Sequence, residues 1–152
     1  MQVKREYPSS PLVGAGAVVS DGPTVLLIKR KYPPNEGRWA IPGGLVELGE
    51  RVQDAAVREV KEETNLDVVL VKLLDVSTDI HLDERSRTKY HYVLVDYLAR
   101  RVEGRIKLNA ESSDFGWFTG EQVRQLDMSQ GTRDVLALHF SDRTGRLRKR
   151  LR

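Results

Sequence analysis

The stretch that most restricts how this chain can fold is residues 44–66, GLVELGERVQDAAVREVKEETNL. From Arg51 to Thr64 its pattern is helical. With Val52 at zero and about 100° per residue, Glu62, Glu59 and Glu63 fall at roughly 280°, 340° and 20°. Spacing of i, i+3, i+4 therefore lines them along one stripe. Ala55 and Ala56 lie in that same arc, whereas Asp54, Lys61 and Arg58 gather on the opposite, solvent-like side. Such a helix turns three carboxylates toward its small residues and away from its other charges. Glu59 and Glu63 are a like-charged i, i+4 pair, which costs a few tenths of a kcal/mol in an isolated helix. A cation in front of the stripe removes the conflict. Carboxylates without His or Cys suit a hard ion, Mg²⁺ with Mn²⁺ as substitute. The ordinary alternative is a solvated acidic face.

Just before this helix stands Gly43-Gly44. Glycines there let backbone approach a ligand closely and permit positive φ. A carbonyl of the pair can act as a further hard donor, and the helix N-terminus beyond it favours phosphate oxygens. A plain turn is the competing reading of a double glycine.

The chain has 152 residues, enough for one domain with its own core. It contains no cysteine, which removes disulfides, thiolate metal sites and thiol nucleophiles together. No apolar run approaches the roughly 20 residues of a membrane helix, and the N-terminus MQVKREYPSSP lacks a secretory apolar core. A cytoplasmic protein without a membrane partner is expected. The net charge of +3 belongs to the end of the chain: residues 141–152 hold six cations against Asp142 alone, so residues 1–140 are net acidic. That division separates a domain, residues 1–140, from a basic tail, residues 141–152, and confines any nucleic-acid reading to the tail.

Residues 13–19 (VGAGAVV) read as a buried strand and residues 24–31 as a second, joined through Asp21-Gly22-Pro23 as a hairpin-like pair. Residues 39–41 read as a short extended piece ending at Pro42-Gly43-Gly44. Residues 66–82 read as one or two strands, 81–89 as a polar loop, 90–99 (YHYVLVDYLA) as a strand, 102–114 as a loop and 115–118 as a strand. Thr119 and Gln122 have capping-box spacing for a helix to Leu126. A last helix is expected from Thr132 to about Phe140. This order favours α/β class, a mixed sheet flanked by helices.

Residues 44–66 resemble the Nudix box, G-x5-E-x7-R-E-U-x-E-E-x-G-U with U a bulky aliphatic. Gly44, Glu50, Arg58, Glu59, Val60, Glu62, Glu63 and Leu66 match in position. Asn65 replaces the last glycine, at a helix-terminal site where Asn is the next best residue for left-handed geometry. Chance agreement over this chain is on the order of 10⁻⁴ at average residue frequencies. The RWAIPGG lead-in, the strand order and the DFGWF segment are also similar to the family.

The resemblance implies an α/β/α sandwich with a mixed sheet and a Mg²⁺-dependent hydrolase that cuts a phosphoanhydride in a nucleoside diphosphate linked to another group. It implies that Glu59, Glu62 and Glu63 hold the metal with a carbonyl of Gly43 or Gly44, that Arg58 orients the glutamates, and that Glu50 has an outer role; Glu47 is a further candidate. Glu59 and Glu111 lead as general base, with Glu84 and Asp114 behind. Gly43, Gly44, Arg38 and Trp39 are expected to meet substrate; Tyr32, Tyr90, Tyr92 and Trp117 are other stacking candidates, and Lys29, Arg30, Arg85, Arg87 and Lys89 other phosphate candidates. GGLVELGE and HYVLVDYLA are similar to ADP-ribose pyrophosphatase-like members, so ADP-ribose or a related nucleotide sugar is the expected substrate. Some of those members carry a proline past the box and this chain has none after Pro42, so (d)NTP housecleaning is the alternative. A non-catalytic nucleotide- or RNA-binding module is the reading of another class. Homodimers are frequent in the family.

Overall fold

The computed structural model describes residues 3–143. The basic segment at 144–152 lies outside them, and the boundary expected after residue 140 falls within the last helix. The elements in chain order are β1 (Leu12–Asp21), β2 (Thr24–Arg30), β3 (Trp39–Ala40), β4 (Gly43–Leu45), α1 (Val52–Thr64), β5 (Asp67–Leu82), β6 (Thr88–Glu103), β7 (Ser112–Thr119), α2 (Gly120–Val123) and α3 (Gln130–Arg143).

β1 is the organising strand because its apolar run is buried continuously from Gly14 to Val19, the pattern of a strand covered on both faces. One edge pairs in parallel with β6, from Leu12↔Tyr92 to Ser20↔Arg100. The other edge is shared. Its first part takes β4, Gly14↔Leu45 to Gly16↔Gly43, and its end takes β2, Ser20↔Val25 and Asp21↔Thr24. The hairpin expected of β1 and β2 is thus confined to its tip. β2 then leaves β1, pairs antiparallel with β7 along its length and joins β3 at Ile28↔Ala40. β5 is one bulged strand antiparallel to β6. The sheet is mixed, as expected.

Alternation along β1 divides the core. Ala17 and Val19 pack with Val60, Leu66 and Ala99 on the α1 side, while Val18 packs with Val25, Leu27, Val135 and Leu136 on the α3 side. Ala55 and Ala56 bring α1 close to Ala15 and Tyr97. Asn65 ends α1 at φ 67°, with its N–H bonded to the Lys61 carbonyl. The Thr119–Gln122 capping box forms, but α2 stops at Val123. α3 starts two residues earlier than expected because the Ser129 hydroxyl accepts from the Thr132 N–H. Among the described residues no helix is long and apolar enough to cross a membrane.

Gly43 and Gly44 form strand rather than turn, and neither has positive φ; that geometry falls to Gly22, Gly37, Gly49 and Gly104. Their lack of side chains serves close packing instead. A Cβ on Gly43 would stand 2.7 Å from the Ala15 carbonyl oxygen, and one on Gly44 would stand 2.5 Å from both carboxylate oxygens of Glu59.

Candidate active site

Arg58 gathers the acidic residues of α1 and the segment before it. Its Nε donates to Glu50 Oε2 at 2.7 Å and its Nη2 to Glu50 Oε1 at 2.9 Å and the Leu45 carbonyl at 3.0 Å. Its Nη1 donates to Glu59 Oε1 at 2.8 Å and Glu62 Oε2 at 3.1 Å. Five bonds from one planar fork lock the β4–α1 connection to the helix. The guanidinium and the backbone N–H of Glu47 hold the Glu50 carboxyl down at about 2. Glu47 itself is exposed, 3.9 Å from Arg58.

Glu63 is buried, and its Oε1 faces the Gly43 N–H at 3.4 Å. Burial first, then repulsion from Glu59 and Glu111, pushes its carboxyl up to about 9, against the opposing pull of the Gly43 N–H and Arg30. Burial also raises Glu59, with Arg58 opposing. Glu62, on the outer side of the stripe, is half exposed. The three carboxylates are brought to one side of α1, although among the described residues no three acidic or imidazole groups converge as a finished cage. Arg58 draws Glu59 and Glu62 toward itself while Glu63 turns to β4. The donor set suits a hard divalent ion: it is all oxygen, and the raised Glu59 and Glu63 are carboxyls whose buried negative charge lacks full compensation.

Across β4 lies a cavity of about 400 Å³ between the sheet and the start of α3. Gly43 and Gly44 line it, as do Trp39, Arg30, Tyr92 and Asp96. The two glycines therefore touch both the cavity and the carboxylates.

The other expected residues separate. Glu111 precedes β7 and repels Glu63, so the fold carries it to the acidic helix. Asp114 is exposed and its carboxylate accepts from the Phe115 N–H. Glu84 is exposed in the β5–β6 turn, beyond Thr88, where β6 begins seven residues from Val95 at the level of Gly44, a strand length of roughly 20 Å. Trp39 is on the cavity wall, edge-on to Phe118. Arg38 is taken up by Asp127, Asn35 and the Met128 carbonyl, and ties its loop to the segment before α3. Arg30 lines the cavity and donates to the Pro34 carbonyl. Sequence reasoning missed Asp96, Asp79 and Arg5, which also line the cavity. The signal for Asp96 was a lone acid inside the apolar run YHYVLVDYLA.

The NUDIX domain family matches residues 10–139. An ADP-ribose pyrophosphatase of Methanocaldococcus jannaschii is 34% identical over 108 residues, covering 71% of this chain but only 62% of that protein's length. The nucleoside triphosphatase NudI of Escherichia coli K12 is 33% identical over 109 residues, 67% of this chain and 76% of that protein. The crystal structure of a MutT NUDIX hydrolase from Burkholderia pseudomallei superposes with a TM-score of 0.74 at 32% identity, covering 86% of this chain and 98% of that one. The chain belongs to the Nudix hydrolase family.

Proposed function

We propose that this protein is a Mg²⁺-dependent pyrophosphatase for nucleoside diphosphates linked to a second group, with ADP-ribose or a related nucleotide sugar as substrate. One observation carries the reading: Glu59, held by Arg58, and Glu63 back onto two side-chain-free residues, Gly44 and Gly43, that open into a nucleotide-sized cavity. The similarity to the Methanocaldococcus jannaschii ADP-ribose pyrophosphatase supports the choice of substrate.

Glu59, Glu62 and Glu63, with the Gly44 carbonyl, would hold the divalent ion. Bound there, it neutralises phosphate oxygens and acidifies water. Arg58 acts as a positioning residue, and Glu50 holds Arg58 in turn. Arg30 supplies a cation on the cavity side of β4, where the diphosphate must lie. Glu111 is the general base of this reading. Its carboxylate is exposed and, among the described residues, makes no hydrogen bond, whereas Glu59 is bonded to Arg58. Glu111 takes a proton from water as the water oxygen bonds to phosphorus. The bond from that phosphorus to the bridging oxygen breaks, leaving two phosphate-bearing fragments.

The NudI relative favours a second reading, hydrolysis of nucleoside triphosphates. Incubation with Mg²⁺ and a panel of ADP-ribose, other nucleotide sugars, dinucleoside polyphosphates and (d)NTPs separates the two. AMP and ribose 5-phosphate from ADP-ribose are the expected products. Cleavage of triphosphates alone would replace the first reading with the second, and no turnover of any would refute both.

A further inference from the structure

The cavity holds a carboxylate that the hydrolysis does not use. Asp96, on β6, is only 8% exposed, lines the cavity and makes no hydrogen bond or ion pair with any described residue. A carboxylate so placed is costly unless something satisfies it. Its parallel partner on β1 is Gly16, and a Cβ built there would stand 2.7 Å from Asp96 Oδ1. The missing side chain keeps the approach to the carboxylate open. A second polar group in the same wall, the Tyr92 hydroxyl, is buried beside the Arg5 guanidinium. An unpartnered buried carboxylate facing a cavity points to a ligand that completes it.

The register says which part of a ligand reaches Asp96. Gly16 pairs with Gly43 on one side and Asp96 on the other. Two strand spacings separate the Asp96 and Gly43 backbones by roughly 10 Å, and the carboxylate, which leans over Gly16, stands nearer to Gly43 than that, within the reach of a nucleoside from its 5′-phosphate to its base. A carboxylate repels a second phosphate there and rewards an N–H donor. Trp39 and Tyr92 add aromatic surface to the same cavity. We propose that Asp96 is a specificity-determining residue that accepts a hydrogen bond from the amino group of the nucleobase, so that adenine and cytosine, which carry it at matching positions, are favoured over uracil and thymine. This rests on the nucleotide reading above. Uracil and thymine present a carbonyl oxygen in place of the amino group, which a carboxylate repels, and keep only the single N3–H as a base donor.

The test is calorimetric binding of AMP and UMP to the wild type, Asp96→Asn and Asp96→Ser in metal-free buffer at pH 8.5, where the Asp96 carboxyl has released its proton, with thermal melts to establish folding. The wild type is expected to prefer AMP by roughly 10- to 100-fold, as for a hydrogen bond to a charged group, and both variants to lose that preference while holding UMP as before. Purine riboside 5′-monophosphate, which keeps the ring and lacks only the amino group, should bind the wild type as weakly as UMP; this arm needs no variant. Equal loss of AMP and UMP in the variants would assign the carboxylate to the ribose and overturn the proposal, as would an unchanged preference. An AMP preference that depends on Asp96 supports it even if no nucleotide sugar is turned over, a result that counts against the hydrolytic reading alone.

Discussion

Replacing Asp96 with Asn should change how stability depends on pH, by an amount that follows from its burial. Burial, with Asp75 adding repulsion, pushes the Asp96 carboxyl up from 3.8 to about 7. Between these values the folded chain keeps a proton that the unfolded chain has released. The folded state therefore binds more protons, and stability falls as pH rises, by up to about 1.4 kcal/mol per pH unit. Across the whole window this amounts to at most roughly 4 kcal/mol, present in full below the unfolded value and lost above the folded one. Asp96→Asn removes the titration. Its amide brings its own cost for imperfect hydrogen bonding, about 1–3 kcal/mol, which does not vary with pH. The informative quantity is thus the change in the difference between the two proteins. Urea unfolding of both at pH 4, 5, 6, 7 and 8 in metal-free buffer measures it. Glu63 titrates in both proteins and cancels. The variant should gain steadily on the wild type from pH 4 to pH 7, with only a small further gain by pH 8. A constant difference across the series would refute the assignment of a buried, unpaired carboxyl at this position.

Three further outcomes concern the hydrolytic site. Gly44→Ala should lower kcat by roughly 10- to 100-fold with the fold kept, because the new Cβ meets both Glu59 carboxylate oxygens at 2.5 Å and displaces them; circular dichroism and steady-state kinetics check this. Glu111→Gln should lower kcat by about 10²- to 10⁴-fold, the usual worth of a general base, with KM little changed, whereas a loss of only a few-fold would move the base to Glu59. Glu62→Gln and Glu63→Gln should each abolish most turnover while leaving a cooperative melt, and near-normal turnover in both would remove the metal role from the stripe.

Much of this site could be read before folding because its spacing is local. One helical turn relates Glu59, Glu62 and Glu63, and Arg58 reaches Glu50 through the short connection that precedes α1. Asn65 in left-handed geometry and the Thr119 capping box are likewise decided by neighbours in the chain. What escaped depends on distant partners. A double glycine looks the same in a turn and in a close-packed strand; only β1, nearly thirty residues earlier, makes Gly43 and Gly44 a strand. β1 and β2 do pair as a hairpin, but only at its tip, because β7, far along the chain, claims most of β2. Arg38 resembled a phosphate ligand until the fold brought Asp127 and the Met128 carbonyl to it. Asp96 drew no notice because, in sequence, an acid within an apolar strand can face solvent as readily as a cavity.

The grip of the α1 carboxylates on a hard cation is tested most directly by Mn²⁺ titration followed by electron paramagnetic resonance. In wild-type protein the signal of free Mn²⁺ should fall as ions are taken up, and Mg²⁺ should reverse the loss by competition. In Glu62→Gln and Glu63→Gln that uptake should weaken by at least about tenfold, as expected when one charged oxygen donor is removed. Equal Mn²⁺ uptake by all three proteins would mean that the ion, if bound, is held elsewhere.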